Sequence, residues 1–370
     1  MSFPEARPRR VTRRVFISLA STAATIQGQD SGLTLASERV RYTDRATEMV
    51  LVRLTSPAFD TCLPVSPGRG ISSRTGSMLV TVVREGRRSL VWLDRTTGTG
   101  RIVAAPLDLD PESVAMTADD RWIAYAAGQE LTALQRQGAR HQTLARFSPG
   151  TVLQAGLAAS PDHLTFYFAE SLAGGARIRS ARLGAVSVAP LAECEEAVAE
   201  LAPNPRRALL AWRTRGGALW LGGLDGRKPK RMETPGGRVL QFYWSRDGAS
   251  TLYLFEPEDR SKLVQIREQQ VDTRADELVA KTSQFASFAP NSNGTAFVGA
   301  SRSKASPHIL LLLRATQREF TLCEHGDPDP VVCRPVFTPD SQSVVFTSRM
   351  HGKSAVYIAG VEKLIEKTQD

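Results

Sequence analysis

From about residue 70 onward the chain repeats one phrase. A turn containing Pro, Asp, Asn or Gly is followed by a short apolar run, a polar connector and a second apolar run. The turns sit at Thr75-Gly76, Asp119-Asp120, Pro161-Asp162, Pro203-Asn204, Asp247-Gly248, Pro290-Asn291 and Pro339-Asp340. Counted from Thr75, Asp119, Asp162, Asn204, Asp247, Asn291 and Asp340, their spacings are 44, 43, 42, 43, 44 and 49 residues. Each first apolar run, such as Leu164 to Phe168 or Val344 to Thr347, is too short for a helix and rich in strand-forming residues. The second runs, such as Ser89 to Leu93 and Ile309 to Leu313, have the same character, with a weaker one near Leu131 to Leu134. Asp, Asn and Gly suit tight hairpins because they tolerate positive φ or bond their own backbone.

A unit of 40 to 45 residues built from about four strands is the signature of a β-propeller blade, whose faces only neighbouring blades can bury. Seven turns predict seven blades, an all-β ring. An open ring would expose unpaired strand edges. The early strand Glu48 to Leu54 is therefore expected to complete the last blade, giving a single propeller over residues 36–370 behind a segment 1–35. The tail Val361 to Thr368 is read as a short helix.

Composition is that of a globular chain: 370 residues, 42% apolar and 23% charged. No apolar stretch is long enough for a transmembrane helix. The net charge of +9 invites a nucleic-acid reading, but Arg7, Arg9, Arg10, Arg13 and Arg14 against Glu5 place +4 of it in the first 27 residues. The rest is a mixed surface. Its one dense basic run, Arg227-Lys228-Pro229-Lys230-Arg231, follows a turn signal and reads as a solvated hairpin tip, so no nucleic-acid partner is expected. Cys62, Cys194, Cys323 and Cys333 form no CxxC pair, which argues against a zinc knuckle. Either Cys323 and Cys333 close a short disulfide loop or all four are buried thiols.

Thr12-Arg13-Arg14-Val15-Phe16-Ile17-Ser18, followed by a short apolar run to Ile26, resembles a twin-arginine export signal. The resemblance implies, through Arg13, Arg14 and Phe16, a bacterial protein exported in folded form to the periplasm or beyond. The alternative is a disordered basic tail.

Phe337-Thr338-Pro339-Asp340 and the strand after it resemble the repeat of TolB-like propellers, echoed at Trp244-Ser245-Arg246-Asp247-Gly248 and Ala159-Ser160-Pro161-Asp162. A narrower resemblance is to oligogalacturonate lyases. Tyr42-Thr43-Asp44, Val52 to Pro57 and Arg87 to Asp94 with Thr97-Gly98 are similar to the opening of those seven-bladed enzymes. That family holds a divalent metal such as manganese in its channel through three histidines and a glutamine, and cleaves by β-elimination. At the matching positions this chain has Val332 and Arg334 in place of two histidines, and Leu240-Gln241-Phe242-Tyr243 before Trp244, so the metal site is missing as the family builds it.

The five histidines do not rebuild it. His163 and His351 read as hairpin-tip residues, and His325 to Pro330 as an acidic, solvated connector. No hydrolase, phosphate-binding or dinucleotide motif is present. Two readings follow. The first is a non-catalytic, monomeric, exported propeller that binds an anionic carbohydrate or a protein on one face, with Arg334, Gln241 and Trp244 as candidate ligand contacts. There Arg334 either holds an anionic group or pairs with a nearby carboxylate. The second is a lyase acting on oligogalacturonate with a rearranged site, the sole case in which manganese would be required.

Overall fold

The computed structural model describes residues 32–366, apart from 138–139, 225–227 and 283. Arg13, Arg14 and Phe16 lie outside the described residues, as does Arg227 of the basic run. The strands described form seven antiparallel sheets, the blades of a β-propeller. The innermost strands, in chain order, are Asp60–Cys62, Leu109–Met116, Leu153–Ala159, Val198–Pro203, Gly237–Trp244, Phe285–Pro290 and Val336–Phe337.

All seven turns from the first to the second strand share one hydrogen bond, from the amide of a Ser, Thr or Asn to the carbonyl five residues on: Ser72 to Ser77, Thr117 to Trp122, Ser160 to Thr165, Asn204 to Leu209, Ser245 to Ser250, Asn291 to Ala296 and Thr338 to Ser343. An aspartate two residues along closes several of them. Thr117, Ser245 and Thr338 donate to Asp119, Asp247 and Asp340 at 2.6, 2.7 and 2.5 Å. The next residue turns left-handed, as at Asp120, His163, Gly248 and Ser341. The hydroxyls and turn amides that donate to these carboxylates hold Asp119, Asp247 and Asp340 below the usual carboxylate range, against the opposing effect of burial.

The apolar cores lie between blades rather than within them. Leu79, Leu90, Val114 and Ile123 join the first two blades; Ala211, Leu219, Phe242 and Tyr253 join the fourth and fifth; Leu254, Ile266, Phe288 and Phe297 join the fifth and sixth. No single blade could bury its own faces, which is why the sheets fold as one ring. In the seventh blade Val50–Arg53 pairs with Ala355–Gly360, with Leu51 opposite Ala359, and Val40–Thr43 lies outside it. In the first blade Thr34–Leu35 adds a fifth strand beside Gly100–Ala104.

Three expectations change. The weak run near Leu131 is a full strand, Glu130–Gln135. Cys323 and Cys333 are both fully buried and unbonded, and Cys62 and Cys194 are half-buried free thiols, so neither the disulfide nor four buried thiols holds. The connector at His325 is not solvated: His325 is 1% and Asp327 6% exposed. Most of its polar groups are bonded there, while Asp327 Oδ2 has only the Arg349 guanidinium, 3.4 Å away. His325 Nδ1 accepts from the Asp327 amide, its Nε2 faces the Ser301 carbonyl at 3.2 Å, and Ser348 donates to the His325 carbonyl at 2.6 Å. Glu362–Glu366 forms the short terminal helix.

Candidate functional site: the channel and its two mouths

The innermost strands line a channel, and the register of the repeat decides which side chains enter it. Four residues before the first residue of each shared turn stand Gly68, Ser113, Gly156, Glu200, Gln241, Ser287 and Arg334. Five of the innermost strands, the second to the sixth, carry a register shift near this level. Beside these bulges, side chains of the preceding blade accept amides of the innermost strands: Gln154 from Val198, Glu200 from Phe242 and Gln241 from Phe288, at 2.9, 3.3 and 2.9 Å.

The first blade supplies the channel's plug. After Asp60–Cys62 the chain does not turn back at once. Residues 63–71 cross the channel through a 3-10 turn at Pro67–Gly70. Val65 packs against Gly156, where a Cβ would come within 3.0 Å of the Glu112 carbonyl and 3.1 Å of Val65, so this crossing requires glycine. Arg69 then spends its guanidinium on the backbone of two blades, donating to the Leu157 carbonyl at 2.6 Å and to the Leu201 carbonyl. Burial lowers its pKa to about 10, opposed by the charge of Glu200. Glu200 is 7% exposed and its carboxyl is pushed up by burial, opposed by the guanidiniums of Arg213 and Arg69. Arg213 stands 3.6 Å from it. The Tyr243 phenol is pushed up by the same burial and accepts from Gln241 Nε2 at 3.1 Å.

Arg334 enters from the opposite mouth. It follows the 3-10 turn Pro330–Cys333 and has a left-handed backbone, φ 46°. Its Nη1 donates to the Leu63 carbonyl at 2.8 Å and its Nη2 to Glu112 at 2.6 Å. Trp244 donates from its indole nitrogen to the Ala202 carbonyl of the fourth blade at 3.0 Å. Of the three predicted contacts, Gln241 and Trp244 are thus ties between blades, and Arg334 pairs with a carboxylate. The structure does not gather the three into one pocket. Trp244 alone borders an open hollow of about 990 Å³ at the plugged mouth, with Tyr243, Arg206, Arg246, Asn291 and Asn293.

The sequence reading missed Arg69, Glu200, Arg213 and Glu112. Glu200 had a signal, since it occupies the same repeat position as Gln241 and Arg334. Arg69 had none, because it lies in a connection that breaks the repeat.

These sheets and this channel define the class, a seven-bladed β-propeller with its channel crossed by its own chain. No family model matches the sequence, and no curated protein matches it. Solved structures do. An oligogalacturonate lyase in complex with manganese aligns with TM-score 0.81 at 16% identity, over 89% of this chain and 98% of that one. The oligogalacturonate lyase of Vibrio parahaemolyticus aligns with TM-score 0.81 at 16% identity, over 90% and 98%. TolB from Acinetobacter baumannii aligns at 15% identity over 71% and 62%, with TM-score 0.47. The two lyases share the fold of this chain at identities too low to carry their activity over. The channel does not fit a divalent cation: Glu200 is flanked by two guanidiniums, Glu112 is bonded to a third, and among the described residues no group of three His, Cys, Asp or Glu side chains could hold a metal.

Proposed function

We propose that this protein is a non-catalytic, exported propeller that binds a protein partner on the face bearing the connections between blades. The observation that carries the reading is the channel interior. Arg69, Glu200, Gln241 and Arg334, the polar groups a substrate would meet there, are bonded to the backbone or to one another. The face opposite the plug exposes Leu107, Val152, Leu172, Leu263, Val331 and Val332, all in or beside its loops, with Leu107 at 86%. Exposed apolar side chains gathered on one face are what a protein interface uses. Arg13, Arg14 and the apolar run after them support export.

The test is incubation with oligogalacturonate, with and without manganese, followed by absorbance of the unsaturated uronate and by calorimetry. Neither cleavage nor binding is expected. Cleavage would establish the lyase alternative, and binding without cleavage would make an anionic carbohydrate the ligand. A photo-crosslinking residue at Val331 should then capture a protein in exporting cells, and one at Val186 on the other face should not. Loss of export of a reporter fused to residues 1–35 on Arg13→Lys and Arg14→Lys checks the address.

A further inference from the structure

Each blade sends its first-to-second and third-to-fourth connections out at one end of the ring, the turn face. Beside this face, where the fourth blade meets the fifth, the rim is open. The outer strand of the fourth blade, Lys230–Arg231, has two residues, whereas those of the second, third, fifth and sixth blades have six, seven, seven and six. So short a strand leaves the outer part of the fifth blade uncovered, and a cleft of about 600 Å³ lies between the two blades. That is the size of a small-molecule site. Leu221, Met232 and Val271 form its apolar side, and the basic run lies along its lip. Lys230 pairs across the strands with Leu221, which packs toward the fifth blade, so the Lys230 side chain lies on the cleft side, and Lys228 lines the cleft with it. Arg231 pairs with Trp220, which packs toward the third blade.

The cleft carries unmatched charge and an open acceptor. Of the two acids that line it, Asp272 accepts two hydrogen bonds from Arg207, at 2.7 and 3.0 Å, and Glu233 stands 3.8 Å from Arg274. Lys228 and Lys230 have no ion pair among the described residues. Behind them Gln269 is 2% exposed. Its Nε2 donates to the Glu233 carbonyl at 2.6 Å, which fixes the orientation of the amide, and its Oε1 accepts no hydrogen bond. A buried acceptor is seldom left without a donor. Lysine ammoniums are compact point charges that suit a dianionic phosphate, whereas the planar fork of arginine is the better match for a carboxylate. We propose that the cleft binds a small phosphomonoester, with its phosphate at Lys228 and Lys230, its organic body on Leu221, Met232 and Val271, and a hydroxyl or amine donating to Gln269 Oε1. This site is independent of the protein-docking reading, which uses the connection face.

Calorimetric titration of the full chain with AMP, CMP and phosphotyrosine, each beside its unphosphorylated parent, tests it. At least one of the three should bind with a Kd below about 1 mM, and its parent about tenfold more weakly or worse. A charge-assisted hydrogen bond changes affinity by about tenfold, so Lys228→Gln with Lys230→Gln should weaken binding by about twentyfold or more. Gln269→Met, similar in size but without the acceptor, should weaken it severalfold, and Lys304→Gln with Lys353→Gln on the opposite face should leave it unchanged. Failure of all three phosphomonoesters to bind at about 10 mM would overturn the proposal. So would inorganic phosphate bound as tightly as the best of them, citrate bound more tightly, or full binding by the double lysine variant. Thermal unfolding of each variant separates lost binding from lost folding.

Discussion

Arg69 and Arg334 enter one channel from opposite mouths and do different work. Arg69 reaches in from the turn face and bonds the carbonyls of two further blades beside a buried carboxylate. Arg334 reaches in from the connection face, bonds one carbonyl, and meets Glu112, whose side chain is 56% exposed. The same guanidinium is thus a strut at one end and a solvated clasp at the other. Depth decides which, because a charge pair contributes little in water, while removing one partner of a buried pair strands the other.

Several measurements would break or sharpen that contrast. Arg69→Ala should cost most, about 3 kcal/mol in denaturant unfolding, because two carbonyls lose their donor and Glu200 loses a countercharge. A cost equal to that of Arg334→Ala would remove the distinction. Arg334→Ala should cost about 1 to 1.5 kcal/mol. Arg334→Gly should recover about 1 kcal/mol of that, since only glycine adopts the left-handed conformation freely; a glycine variant no better than alanine would show that the turn is unstrained.

His325, in the connection that delivers Arg334, adds a pH test. Burial lowers its pKa below the ordinary 6.5, so the folded state binds fewer protons than the unfolded one. Its contribution is complete above about pH 6.5 and is lost as the pH falls below that value, and His325→Gln should flatten this part of the stability profile. An unchanged slope would place the titration elsewhere. Glu112→Gln should be smallest, below about 0.5 kcal/mol and vanishing at high salt.

The turns were legible because their chemistry is local. A residue that bonds its own backbone, then an aspartate, then a position tolerant of positive φ can be read without knowing what lies nearby. Arg334 was legible through its match to a ligand position of the lyases, but its partner Glu112 was not, since the bulged stretch Asp110 to Ser113 hides the phase of its strand. His325 and Asp327 looked solvated because polar, proline-rich segments usually are; only the carbonyl of Ser301 and the hydroxyl of Ser348, brought from neighbouring strands, allow their burial.

By itself the sequence determined the number of blades and the positions of the turns, because both follow from a period and from contacts a few residues long. The tertiary structure decided that residues 63–71 fill the channel and that Gln241 and Trp244 tie blades together. Those outcomes depend on which carbonyls and amides the closing ring leaves within reach, and no local pattern encodes them.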